Sequence, residues 1–346
     1  MGEQQVDEST SGRVGYDAPR LASDRNDDVT REEATMAGAT SHEDTRSGAG
    51  VIAPVATAMI TPFTDDLELD LEGAGRLASY LVARGTGTIL ANGTTGESPT
   101  LHDEEPWKLL HAVKEAVGDR ATVMVGTGGN DTSKTVAATR RAADEGADAV
   151  LVVTPYYNRP SQRGMVDHFT AAAEATPLPV LLYDVPGRTG TELWTSTLAE
   201  LAEVENIIGV KDAAGNVAKT AETITATRGA PGGFEVWCGA DELNLPLLSV
   251  GAVGVVSVAA HLVGPQIAEM IEVFAHDPAR ARELHLACMP VHRSMFFEPS
   301  PGPLKGALTA VGLPAGPPRP PMVTALDETI DAVLEAWRRV GGEDPT

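Results

Sequence analysis

"NIIGVKDAAGN" (residues 206–216) opens as a short apolar run, Ile207 to Val210, of the kind that becomes a buried strand, and the run ends in a lysine, Lys211. The same texture recurs outward along the chain. "VIAPVATAMI" (51–60) precedes a stretch with Leu71, Ala74, Ala78 and Leu81 on one helical face, and "TGTILANG" (86–93) precedes a helix from about Asp103 to Val117 that starts with acidic residues and a proline. Further strands are predicted in "ATVMVGTG" (121–128), "ADAVLVVTP" (147–155), "LPVLLYDVP" (178–186), "FEVWCGAD" (234–241) and "VGVVSVAA" (253–260), most of them separated by a helix-length segment. Alternation of this kind implies parallel strands, and eight units over roughly 230 residues point to a closed (β/α)8 barrel, a TIM barrel, rather than an open doubly wound sheet. "GTGGND" (126–131) is not the GxGxxG of a dinucleotide site.

Residues 1–48 are rich in Ser, Thr, Gly, Asp and Glu and read as a disordered acidic tail. The barrel is expected over 49–277. Residues 278–346 read as a C-terminal helical subdomain, interrupted by "EPSPGPLKG" and "LPAGPPRPP". The 346 residues carry a net charge of −23, which argues against a nucleic-acid partner, since phosphate binding needs clustered Lys and Arg. No apolar run is long enough for a bilayer, and the N-terminus lacks a secretory pattern, so no membrane partner and a cytoplasmic location are expected. The two cysteines, Cys238 and Cys288, form no CxxC pair. The histidines form no ligand set, so no metal is expected, and no cofactor motif is present.

Active sites of such barrels sit at the carboxyl ends of the strands. Those ends carry Gly93, Thr94, Thr95 and Gly96 on strand two, Thr154 to Tyr157 on strand four, Tyr183 and Asp184 on strand five, and Lys211 and Asp212 on strand six. Of six lysines, the other five fall in segments that read as helix surface, loop or C-terminal appendage. A strand-end lysine can snorkel to the rim or pair with a neighbour such as Asp212. It can also be a nucleophile: burial disfavours the charged form of an amine, and a neutral amine attacks a ketone to give a Schiff base. Tyr183, Thr94 and Tyr157 would supply a chain of hydroxyls for proton transfer. The glycines flanking Thr94 and Thr95, Gly93 among them, expose backbone N–H groups suited to a small carboxylate, and Arg188 in "YDVPGRTG" offers a second carboxylate anchor.

"GTTGES", "TPYYNRPSQ", "YDVPGRTG" and "IIGVKDAAGN", in this order and spacing, resemble the dihydrodipicolinate synthase family of Schiff-base aldolases over about residues 51–340. The resemblance implies a lyase of lysine and diaminopimelate biosynthesis that condenses pyruvate with aspartate 4-semialdehyde to 4-hydroxy-tetrahydrodipicolinate. It implies that Lys211 forms the imine and that Tyr183, Thr94 and Tyr157 form the relay, Tyr157 reaching into a neighbouring subunit. By the same resemblance Thr95 holds the pyruvate carboxylate, Arg188 meets that of the aldehyde, and Val256 lines the pocket. Members are typically homotetramers built from tight dimers, so the resemblance implies that assembly. N-acetylneuraminate lyase and keto-deoxy-sugar aldolases share the barrel and the lysine, but a sugar aldehyde offers no carboxylate to Arg188. A barrel binding a keto acid without turnover, or a purely structural one, would need no such set of hydroxyls at one rim.

Three departures stand out. Asp184 replaces the usual Asn, and Ser300-Pro301-Gly302-Pro303 replaces an Asn-Pro-Ile-Pro turn; neither is expected to touch the chemistry. In lysine-inhibited members an acidic side chain meets the effector's amino group and a His follows "GTTGES". Asn130 and Tyr156 are kept here, but Lys134 stands at the acidic position and Asp103 at the His, which implies weak or absent feedback.

Overall fold

The computed structural model describes residues 50–343; the tail expected over 1–48 lies outside them. Eight parallel strands close into a barrel in chain order, β8 pairing back onto β1. The first half runs β1 Val55–Ala58, α1 Leu71–Ala83, β2 Thr88–Ala91, α2 Glu105–Val117, β3 Thr122–Gly126, α3 Thr132–Asp144, β4 Ala149–Val153 and α4 Gln162–Glu174. The second runs β5 Val180–Asp184, α5 Pro186–Thr189, α6 Thr195–Leu201, β6 Ile207–Asp212, α7 Val217–Ala226, β7 Glu235–Cys238, α8 Asn244–Val250, β8 Gly254–Ser257 and α9 Ala260–Val273. Three more helices follow: α10 Pro278–Ser294, α11 Gly302–Ala310 and α12 Asp327–Arg339.

Side chains alternate across each strand, so a strand buried on both faces feeds two cores. On β5, Leu181 and Tyr183 point into the barrel, with Leu90, Met124, Leu151 and Trp237. Val180 and Leu182 point outward into the layer shared with the helices. The helices start where local chemistry starts them: the side chains of Asp70, Asp131, Ser161 and Asn216 each accept a first-turn N–H, and Pro106 opens α2. The α1 face differs from expectation. Ala74, Ala78 and Leu81 are buried, but Leu71 is exposed, and Gly73 and Leu77 complete the face.

One irregularity sets the site. Val180 pairs with Ile207, but Leu181 pairs with Gly209, so β6 carries one extra residue against β5. Ile208 and Lys211 consequently both face the barrel axis although they are three apart. Tyr183 comes to lie opposite Lys211, and Asp184 opposite Asp212. Gly209 makes this passage possible, because a Cβ there would stand 2.1 Å from the Glu235 carbonyl oxygen.

The C-terminal helices pack onto the barrel instead of standing apart. The Trp337 indole of α12 is fully buried and donates to Leu262 O of α9 at 2.9 Å. Lys305 of α11, which reads from sequence as an appendage residue, is 1% exposed. Its ammonium donates to Glu97 Oε1 at 2.8 Å, to Thr61 O at 3.0 Å and to Pro317 O at 3.1 Å. Burial depresses the Lys305 pKa to about 8. The misreading has a physical reason: Glu97 is distant in sequence and follows the Thr94-Thr95 turn, so no local pattern announces the pair. Lys305→Met strands the Glu97 carboxylate in the interior and is expected to cost about 3–5 kcal/mol of stability. Denaturant unfolding checks this, and Glu97→Gln added to Lys305→Met should recover part of the loss.

Candidate active site

At the carboxyl end of the barrel lies a cavity of about 570 Å³ whose walls include Thr94, Thr95, Tyr183, Arg188 and Lys211. Lys211 is 4% exposed, and its Nζ stands 4.2 Å from the centroid of the Tyr183 ring. The aliphatic stem of Lys211 has room because Gly239 faces it: a Cβ there would lie 2.9 Å from Lys211 Cγ. Lys211, the Tyr183 phenol and the two threonines are thus gathered from β6, from β5 and from the turn that follows β2.

Strand two is shorter than its sequence suggests. β2 stops at Ala91 because Asn92 turns into the left-handed region, φ +54°, and its side-chain amide donates to Gly126 O at 2.7 Å. Gly93 to Gly96 then form a turn in which the N–H groups of Glu97 and Ser98 donate to Thr94 O and Gly93 O. Thr61 Oγ donates to Gly96 O at 2.6 Å and ties the turn to the end of β1.

Gly93, Val256 and Tyr157 are not among the residues that line this cavity, and Tyr157 is expected to act in a neighbouring subunit. Val256 sits in the inner layer of the barrel with Tyr183 and Trp237, while Val258 lines the cavity. Tyr157 is 90% exposed with φ +71°, away from the cavity of its own chain. Ser300, from the turn that departs from the family pattern, also lines the cavity. It arrives with Phe296, Phe297, His292 and Arg293, so the C-terminal region supplies one wall. Sequence periodicity places such residues on a helix but not over a barrel mouth. His285 and His292, read as forming no ligand set, are buried with ring centroids 6.0 Å apart, and burial lowers both pKa values, that of His285 to about 4.

Asp241, also missed, has a signal in hindsight, as the acid that ends "FEVWCGAD". Its Oδ2 accepts the N–H groups of Val258 and Ala259 at 2.9 and 2.8 Å, and Oδ1 accepts from Ser257 Oγ. It therefore fixes the turn from β8 into α9 at the cavity wall.

Asp184 is buried next to Tyr183 and accepts from Lys219 Nζ at 2.8 Å and from Leu193 N at 3.2 Å. Burial outweighs the ammonium and raises the Asp184 pKa to about 6. The unfolded value is about 3.9. Between the two, the folded chain holds the extra proton, so this group's contribution to stability is full below the lower value and is lost as pH rises through about 6. Asp184→Asn, which mimics the protonated acid, should remove that dependence. Melting curves of both proteins from pH 4 to pH 7 should converge at the acid end and separate toward neutrality, the variant being the more stable.

With this geometry in place, the relatives are informative. Residues 52–338 match the dihydrodipicolinate synthetase family. The 4-hydroxy-tetrahydrodipicolinate synthase of Parasynechococcus marenigrum is 49% identical over 82% of this chain and 95% of its own. A synthase of Streptomyces coelicolor is 49% identical over 78% and 89%. Among solved structures, dihydrodipicolinate synthase from Bacillus anthracis superposes with a TM-score of 0.79 at 43% identity, covering 83% of this chain and 98% of that one. A monomeric dihydrodipicolinate synthase variant superposes at 0.83 with 35% identity, covering 86% and 99%. Matched over residues 52–338, which take in the barrel and its C-terminal helices, the chain belongs to the dihydrodipicolinate synthetase family.

Proposed function

We propose that Lys211 is the Schiff-base nucleophile in the condensation of pyruvate with L-aspartate 4-semialdehyde to 4-hydroxy-tetrahydrodipicolinate. The observation that carries this is the buried Lys211 side chain, its Nζ 4.2 Å from the Tyr183 ring centroid, in a cavity that also holds Thr94, Thr95 and Arg188. The Lys211 amine adds to C2 of pyruvate and water leaves, giving the imine. The cationic imine draws electrons, so C3 loses a proton and becomes the nucleophile of an enamine. Tyr183 and Thr94 move these protons between hydroxyls. Thr95, with the backbone of the turn at Gly93, holds the pyruvate carboxylate.

The enamine carbon then attacks the aldehyde carbon, forming the C–C bond, and the aldehyde oxygen takes up a proton to become the hydroxyl. The amino group of the same substrate adds to C2 and expels the Lys211 amine, which closes the ring and frees the enzyme. Arg188 orients the aldehyde by a charge-assisted, bidentate contact with its carboxylate. That contact favours this substrate over a sugar aldehyde.

Tyr157, projecting from its own chain, completes the relay in a second copy, within a homotetramer of two tight dimers. No helix among the described residues is long and apolar enough to cross a membrane. The buried thiols of Cys238 and Cys288, both pushed up by burial, suit a reducing cytoplasm. Feedback by lysine is weak, because Lys134 would face the effector's ammonium, a repulsion of about 1 kcal/mol at 4 Å in water and more where solvent is excluded.

Borohydride reduction with pyruvate should leave a mass adduct on Lys211 of the wild type and none on Lys211→Arg, since a guanidinium forms no imine. An adduct on another lysine of the variant would defeat the assignment. L-lysine titration should give no half-inhibition below about 1 mM.

A further inference from the structure

Eight residues, Val185 to Glu192, separate Asp184 from Leu193, and Arg188 lies among them. Both ends of this segment meet at one carboxylate. Asp184 itself ends β5, one residue after Tyr183, and its Oδ1 accepts the Leu193 N–H at 3.2 Å. Its Oδ2 accepts from Lys219, whose ammonium also reaches Glu192 Oε2 at 3.3 Å. The lysine is itself fixed. Its backbone N–H donates to Asn216 Oδ1 at the start of α7, and the neighbouring Thr220 Oγ donates to Asp212 Oδ2 at 2.6 Å. Asp212 follows Lys211 directly.

The stretch from Lys211 to Thr220 thus begins with the nucleophile and ends with a clamp on the segment that carries Arg188. Arg159 and Gln162 brace the far side of the same segment, donating to Gly190 O at 2.6 Å and Glu192 O at 2.8 Å. Those braces come from the β4–α4 loop and the first residue of α4. Lys219 alone, among the bonds described, ties it to the helix that follows Lys211.

We propose that Asp184 and Lys219 are positioning residues for Arg188, setting the distance between the aldehyde's carboxylate anchor and the Lys211 nucleophile. The inference rests on the reading of Arg188 as that anchor. Stability alone does not account for the pair. Asp184 is charged at neutral pH in a place that favours its neutral form, so this carboxylate is held at a cost to the fold. Bond formation between two substrates, in contrast, depends steeply on relative placement: an error of about 1 Å removes on the order of a hundredfold in rate.

Steady-state kinetics and borohydride trapping on the full-length enzyme test this with Lys219→Met, Lys219→Arg, Asp184→Asn, Arg188→Ala and the double variant Arg188→Ala/Lys219→Met. Lys219→Met is expected to raise KM for aspartate semialdehyde by about tenfold, while the pyruvate KM and adduct yield stay within about twofold. Lys219→Arg should restore most of the loss. In the Arg188→Ala background, Lys219→Met should add less than about twofold, since it acts through the guanidinium already removed. Asp184→Asn keeps the acceptor for Leu193 but removes the charge and puts an NH2 donor where Oδ2 accepted from Lys219, so it breaks the clamp from the other side and gives the same selective rise even if Lys219→Met folds poorly. An unchanged aldehyde KM in both Lys219→Met and Asp184→Asn, equal losses for both substrates, or a full additional loss on top of Arg188→Ala overturns the proposal. If Arg188→Ala alone is selective for the aldehyde and the pair variants are not, only this inference falls. If Arg188→Ala itself is not selective, the reading of Arg188 falls and the inference with it.

Discussion

The extra residue in β6 is the constraint on which the site depends. In a sheet with strict alternation, Ile208 and Val210 would share a face, and Lys211 would turn outward among the helices. The shift between Val180/Ile207 and Leu181/Gly209 exchanges the faces part-way along the strand. Ile207 and Val210 fill the outer layer, Ile208 fills the inner one, and Lys211 emerges at the top of the barrel axis opposite Tyr183. Closure enforces the result. Each strand is paired on both sides, so β6 cannot slip against β5 without also breaking the match of Lys211 to Trp237 on β7. The glycine in the middle is part of the same device, since the β7 backbone at Glu235 passes too close for any side chain at 209.

A second constraint holds the other half of the site. The threonines sit on a turn, and a turn has no ladder to fix it. Glu97, at the end of that turn with φ +57°, is buried and accepts from both Lys305 and the Arg319 N–H. Both cations also pack on the Phe63 ring, each 4.2 Å from its centroid, and Arg319 makes a bidentate pair with Glu105 at the start of α2. The C-terminal helices are therefore bolted to the Thr94-Thr95 turn by charge as well as by apolar packing. This explains how a region that reads as an appendage comes to supply Ser300, Phe296 and Arg293 to the cavity wall.

The barrel was legible in the sequence because its signals are local. Apolar runs, helical spacing and the order of the units need no knowledge of distant contacts, and Lys211, Tyr183, Thr94, Thr95 and Arg188 do meet in one cavity. What escaped is non-local. The Lys305–Glu97 pair joins residues 208 apart, and Lys219 reads as a helix-surface residue until its partner on β5 is known. Tyr157 marks a different limit. Its exposed, left-handed conformation is a property of one chain, whereas the role assigned to it belongs to two.

The electrostatics of the cavity run against those of the chain. Both substrates carry a carboxylate, and the protein's net charge is −23. Charges more than about 8 Å away across solvent are largely screened, so the surface excess weighs little inside a cleft. What matters is the local set: Lys211, Arg188 and Arg293 against Asp241 and Glu242. Asp241 is occupied by two backbone N–H groups and the Ser257 hydroxyl, and Glu242 stands 3.7 Å from Arg293 at the mouth. Lys211 and Arg188 are the remaining Lys and Arg side chains of the cavity lining. An acidic chain thus occupies the carboxylates nearest its cavity with its own donors, and Asp184, bound to Lys219, follows the same rule.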